Sequence, residues 1–136
     1  MASRKDTRDD LGRLVLRLTF GGMMLTHGIP KLLGFADKME GFPDPLGVGS
    51  PVSLTLAVFA EVLCAGLVLL GAFTRLAVVP LIVTMVVAGF IVHANDPFGR
   101  KELALAYGLG YVAIGLLGAG RFSVDARLPA RFAKLK

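Results

Sequence analysis

Apolar residues gather into four long segments, at about residues 11–33, 51–73, 76–94 and 103–119, and polar or turn-forming residues return between them. At 1.5 Å rise per residue the first two reach roughly 35 Å as helices and the last two roughly 26–28 Å, against about 20 residues needed to cross hydrocarbon. The pattern therefore predicts an all-α chain, an integral membrane four-helix bundle that forms one transmembrane domain over residues 1–136. The shorter third and fourth segments would cross with little tilt. Pro80 falls in the first turn or so of the third segment, where a missing N–H does least damage. The longest connection is GFADKMEGFPDPLGVGS, residues 34–50, in which Phe35, Met39, Phe42 and Leu46 recur at helical spacing. That spacing allows a short amphipathic turn in the interface; an irregular loop punctuated by Pro43 and Pro45 is the equal alternative.

Composition strengthens the membrane reading. Hydrophobic residues make up 54% of the 136, charged residues only 18%, and mean hydropathy is +0.69. A soluble domain would carry about 25% charge. The net charge of +5 could suggest nucleic acid, but the basic residues cluster at the chain ends rather than on a soluble face. They act instead as topology signals and as attraction for anionic lipid headgroups. Ten Lys and Arg lie on the side of the two termini and the 74–75 turn, against Lys31, Lys38, Arg100 and Lys101 on the other. The positive-inside rule then puts both termini in the cytoplasm. A cleaved signal peptide fits poorly, because Arg17 and His27 interrupt the first apolar run and no A-x-A site follows.

Few polar residues fall within the apolar segments. Glu61 is the only charge between Pro51 and Phe73, near mid-depth, where a carboxylate is costly unless paired, protonated or facing water. On the first segment Arg17, Phe20, Met24, His27 and Lys31 follow one another at 3, 4, 3 and 4 residues and share a stripe. His93 closes the third segment and Glu102 opens the fourth. Hence His27, Lys31, His93 and Glu102 are expected in one outer-leaflet layer, with Glu61 and Arg17 beneath it. Arg17 either snorkels to the inner headgroups or pairs with Glu61. His27 either packs as a satisfied hydrogen-bonding group or lines a cavity as a donor or proton carrier.

Two imidazoles and a carboxylate can bind metal, but no H-x-x-x-H, C-x-x-C or E-x-x-H spacing occurs, so no metal is expected. Flavin and haem lack support as well: there is no nucleotide-binding glycine fingerprint after a strand and no axial-ligand spacing. Cys64, the single cysteine, cannot form an internal disulfide and is expected to be a buried, inert thiol. Small residues such as Ala57, Ala65, Ala88, Gly89, Ala106 and Gly110 suit close helix packing. Four helices enclose little volume, which leaves room for a homodimer without demanding one.

Taken together, RLTFGGMMLTHGIPKLLGF, AEVLCAGLVLLGAFTRLA and AGFIVHANDPFGRKELALAYGLGYVAIGLLGAGRFSVD resemble the DoxX family of small bacterial four-helix membrane proteins, over roughly Leu11 to Asp125. The likeness falls on Arg17, His27, Gly28, Lys31, Glu61, Gly71, Arg75, His93 and Glu102. It implies a multi-pass protein of the bacterial inner membrane in redox metabolism, with members linked to quinone-dependent oxidation of reduced sulfur compounds or to thiol and oxidative-stress complexes. The leading expectation is thus a quinone or similar lipophilic ring held between helices, with Glu61 and His27 as the chemical groups and Arg17, Lys31, His93 and Glu102 around it. Electrons would come from a redox partner protein. The alternative is a proton-coupled small carrier or lipophile-binding protein with Glu61 as the coupling carboxylate, and a purely structural subunit is a third reading.

Overall fold

A computed structural model describes residues 3–136, and among them every regular element is helical. Helix α1 spans Arg4–Leu33, α2 is the single turn Phe35–Lys38, α3 spans Ser50–Leu70, α4 spans Thr74–Val92 and α5 spans Phe98–Leu117. α1 starts before the apolar run because Ser3 and Asp6 form a capping box, each side chain accepting from the other's backbone N–H. α3 stops at Leu70 because Gly71 turns left-handed (φ 68°), and the Ala72 N–H then reaches back to Leu67 O. The expected helix over residues 51–73 is therefore shorter at its end, and its successor starts two residues early. The residue 34–50 connection combines both alternatives: one helical turn, α2, followed by irregular chain.

The long helices run up, down, up and down in a closed ring, α1 against α3, α3 against α4, α4 against α5, and α5 back against α1. Glycines set two of these contacts. A Cβ on Gly28 would lie 2.6 Å from the Glu61 carbonyl group, and one on Gly110 would lie 2.6 Å from the Phe20 ring. The core is filled by Met24, Leu54, Val68, Leu81, Tyr111 and Ile114. The outside is not polar: Leu116 is 76% exposed, Leu109 70% and Phe90 62%. Apolar surface on that scale marks contact with lipid or another protein. α3 and α4 are each long and apolar enough to cross a bilayer by length and composition. α1 and α5 carry charge clusters at their starts, Arg4 to Arg13 and Arg100 to Glu102.

Both α3 and α4 contain a π-helical turn, Phe59–Cys64 in the middle of α3 and Ala88–Val92 at the end of α4. Their signatures are the Ala65 N–H on Ala60 O and the His93 N–H on Ala88 O, each reaching back five residues. Such turns widen the helix by one residue and are frequent at functional sites.

Beyond α5 the chain folds back beneath the bundle in two 3-10 turns, Asp125–Arg127 and Ala130–Phe132. The Val124 and Asp125 N–H groups donate to Leu70 and Gly71 carbonyls, and Leu76 N–H donates to Leu135 O.

Candidate functional site

Glu61 sits in the π turn of α3 and is 6% exposed. Its carboxylate accepts from the Lys31 ammonium of α1, in an ion pair whose Lys31 side chain remains 25% exposed. Arg17 is elsewhere. It is buried to 1%, and its guanidinium donates to three backbone carbonyls, Ala119 (3.0 Å), Leu69 (2.9 Å) and Phe122 (2.6 Å). The expected choice between snorkelling and a Glu61 pair is therefore replaced by a third arrangement, in which Arg17 ties the carboxy-terminal segment to α1 and α3. Distance along the helix explains it: Gly28 packs on Glu61, and Arg17 lies three turns below Gly28, about 16 Å away.

The α1 stripe divides between two interfaces. Arg17, Met24 and Lys31 recur every seventh residue and face α3, whereas Phe20 and His27 are rotated about 60° from them and face α5. His27 accordingly does not face Glu61. It is exposed, and its ring meets the Tyr107 ring edge to face at a centroid distance of 5.8 Å. Glu102 is exposed in the second turn of α5, and neither it nor His27 lines the groove that brings Lys31 and His93 together.

Three of the expected residues do converge. Lys31, Glu61 and His93 line a groove of about 610 Å³ between α3 and α4, roofed by Phe42, Pro43 and Leu46 of the long loop. Its size falls in the range of small-molecule sites, roughly 300–1,000 Å³. The walls are almost wholly apolar, and two of the other polar side chains there are already engaged: Thr84 Oγ1 donates to Pro80 O (2.7 Å), and Ser53 Oγ donates to Asp44 Oδ1 (2.8 Å). The polarity of the groove is thus concentrated in Lys31, Glu61 and His93. Both π turns border it, so the widened helical segments are the ones that present Glu61 and lead into His93.

Two aspartates outside the helices hold the rim. His93 Nδ1 lies 2.6 Å from Asp96 Oδ2, and that contact, with Arg100 and Lys101 nearby, keeps the Asp96 carboxyl below its ordinary pKa. Asp44 accepts from Ser53 Oγ and from the Val48 and Gly49 N–H groups, which lowers its pKa and fixes the loop over the start of α3. Asp44 carried no sequence signal beyond its place between two prolines. Cys64 is buried in the core as expected, away from the groove lining. Among the described residues no three His, Cys, Asp or Glu side chains converge as a metal-ligand set.

Such a chain is a helical membrane protein with an apolar groove, polar at one end. It belongs to the DoxX family, whose pattern matches residues 12–94, a stretch that contains His27, Lys31, Glu61 and His93 and ends before α5. It is 32% identical over 141 residues to an uncharacterized membrane protein of Mycobacterium tuberculosis, an alignment covering 87% of this chain and 82% of that one. It is also 34% identical over 117 residues to an uncharacterized protein of Haemophilus influenzae, covering 81% and 85%. No solved structure matches the chain.

Proposed function

We propose that the groove between α3 and α4 binds the ring of a quinone or a similar lipophile, as the membrane component of a quinone-linked or thiol and oxidative-stress redox system. The observation that carries this reading is the Lys31–Glu61 pair set into an otherwise apolar groove with His93 also on its wall. Lys31 and His93 supply N–H donors for ring carbonyls, and Glu61 fixes the ammonium that would do so. The isoprenoid tail would lie along the exposed apolar faces of α3 and α4, where Leu56 and Val83 are 50% and 55% exposed. Electrons come from a partner redox protein.

In this reading all four long helices cross the inner membrane, both termini are cytoplasmic, and the groove opens in the outer half of the bilayer. The apolar outer surface and the excess of basic residues at the terminal end support that placement. The test is binding of a short-tailed quinone to purified protein in nanodiscs. Wild-type protein should bind saturably, and Glu61→Gln or Lys31→Met should weaken binding by about 10-fold, as expected when one charge-assisted hydrogen bond is lost. No saturable binding, or equal binding by all three proteins, would sink the proposal. The carrier reading depends on the same carboxylate but needs it free to load and release a proton, whereas here Lys31 holds it. Proton-coupled uptake in proteoliposomes that Glu61→Gln abolishes would select the carrier instead.

A further inference from the structure

A second cavity, of about 370 Å³, adjoins the groove on the side of the α1–α3 connection. Its lining is Lys31, Asp37, Lys38, Gly41, Phe42 and Pro43, so it shares Lys31, Phe42 and Pro43 with the groove. The two cavities differ in chemistry. One is apolar and runs along α3 and α4; the other is bordered by the charges of α2 and by loop chain. Phe42 and Pro43 separate them, and the only charged side chain common to both is Lys31. Glu61 lines the groove but not the second cavity. The carboxylate thus meets the charged side only through the ammonium bonded to it.

We infer that Lys31 is the proton-exchange port of the groove, passing protons between its occupant and water that enters on the α2 side. The inference rests on the binding reading above. Reduction of a bound quinone to quinol consumes two electrons, drawn from the partner redox protein, and two protons. Each proton leaves the Lys31 ammonium for a ring carbonyl oxygen, and the neutral amine regains one from water in the α2-side cavity. After two such transfers Lys31 and Glu61 are unchanged. The other titratable groups around the pair are Asp37 and Lys38 from α2, His93 at the end of α4 and Tyr111 from α5. His93 is engaged with Asp96, and the Tyr111 hydroxyl donates to Phe20 O (3.1 Å), so neither forms a path to the α2 side.

The port predicts access to water from one face. In sealed vesicles of known orientation, Lys31→Cys should react with a charged, membrane-impermeant thiosulfonate added on the loop side, at a rate within about 10-fold of Gly41→Cys. Ala57→Cys, on the apolar wall, should react about 100-fold more slowly, since reactivity follows access and thiolate content. Lys31→Cys reacting as slowly as Ala57→Cys, or only from the side of the termini, would overturn the inference. A second measurement keeps Lys31 in place: a bulky adduct on Gly41→Cys should slow proton uptake during quinone reduction by about 10-fold while quinone affinity stays unchanged. Unchanged proton uptake on a fully labelled protein counts against the port. Failure of wild-type protein to bind quinone removes the binding reading, whereas the labelling still decides whether Lys31 meets water from the α2 side.

Discussion

A Cβ at position 28 has no space, because the Glu61 backbone lies 2.6 Å from where it would stand and neither helix can yield there without moving the other. Gly28→Ala is therefore expected to destabilise by about 1–3 kcal/mol, the range for overpacking a close contact. Gly66→Ala, with nothing within 4 Å of its Cβ, should be neutral or stabilise by about 0.5–1 kcal/mol, since alanine restricts the unfolded chain. Thermal unfolding in one detergent distinguishes the two, and equal shifts would mean that the α1–α3 approach is not tight. The ion pair gives a second contrast. Lys31→Met leaves a carboxylate that is 6% exposed without its cation, and about 1–3 kcal/mol should be lost, less than for a fully buried pair because Lys31 keeps some water. Adding Glu61→Gln should restore most of the loss, whereas simple addition of the two single effects would show that the pair contributes nothing. Glu61 was conspicuous in the sequence as a lone charge, but its partner was not. Arg17 and Lys31 both fall on the stripe, and the register that decides between them is set by where Gly21 and Gly28 let α3 approach, which hydrophobic periodicity does not encode.

The four long elements were legible because apolar runs of that length have few alternatives, and three of the shifts in their ends follow a local device: the Ser3 capping box, the left-handed Gly71, and Asp125 accepting from the Phe73 and Thr74 N–H groups at the start of α4; α5 instead starts at Phe98, five residues before the expected 103, directly after Pro97 and without a capping side chain. The π turns were not legible, since one extra residue in a continuous apolar run leaves the pattern apolar. Their consequence falls on the groove, where they carry Glu61 and lead into His93. The loop over the groove depends on a different interaction. Asp44 is held below its ordinary pKa mainly by the Ser53 hydroxyl and the Gly49 N–H. A carboxyl with a lowered folded pKa adds stability above its unfolded value, and that stability is lost as the pH falls through the folded value, here below about 4. Amide protection factors in residues 39–49, observed rates divided into the intrinsic rate at each pH, should therefore fall on acidification before those of the long helices. Asp44→Asn should lower them already at neutral pH and flatten the dependence. Equal loop protection in wild type and Asp44→Asn at neutral pH would remove Asp44 as the organiser.

Across the whole molecule, buried charge occurs at two ends of the bundle with different consequences. At the terminal end Arg17 satisfies three carbonyls, and Asp125, 4% exposed, caps α4; the Gly71 Cβ position lies 2.7 Å from Arg17 Nη1. These interactions join the carboxy-terminal segment to the helices, apart from the Arg17 bond to Leu69 O, which joins α1 to α3, and none of these residues lines the groove. At the other end Lys31, Glu61 and His93 face an open space and are bonded to one another or to the rim. The two sets should therefore separate in experiment. Arg17→Lys keeps the charge but loses the planar fork that serves three acceptors, so it should cost about 2–4 kcal/mol, nearly as much as Arg17→Gln. Proteolysis after Gly118 should accelerate in both variants. Quinone affinity, measured below their lowered Tm, should remain within about 2-fold of wild type, because Arg17 lies about 16 Å along α1 from Gly28, the residue that packs on Glu61. Glu61→Gln should show the converse, weakened binding with slow proteolysis after Gly118. A loss of binding in Arg17→Lys as large as in Glu61→Gln would mean that the carboxy-terminal clamp and the groove act as one unit, and that Arg17 belongs to the site through the packing of α1 on α3.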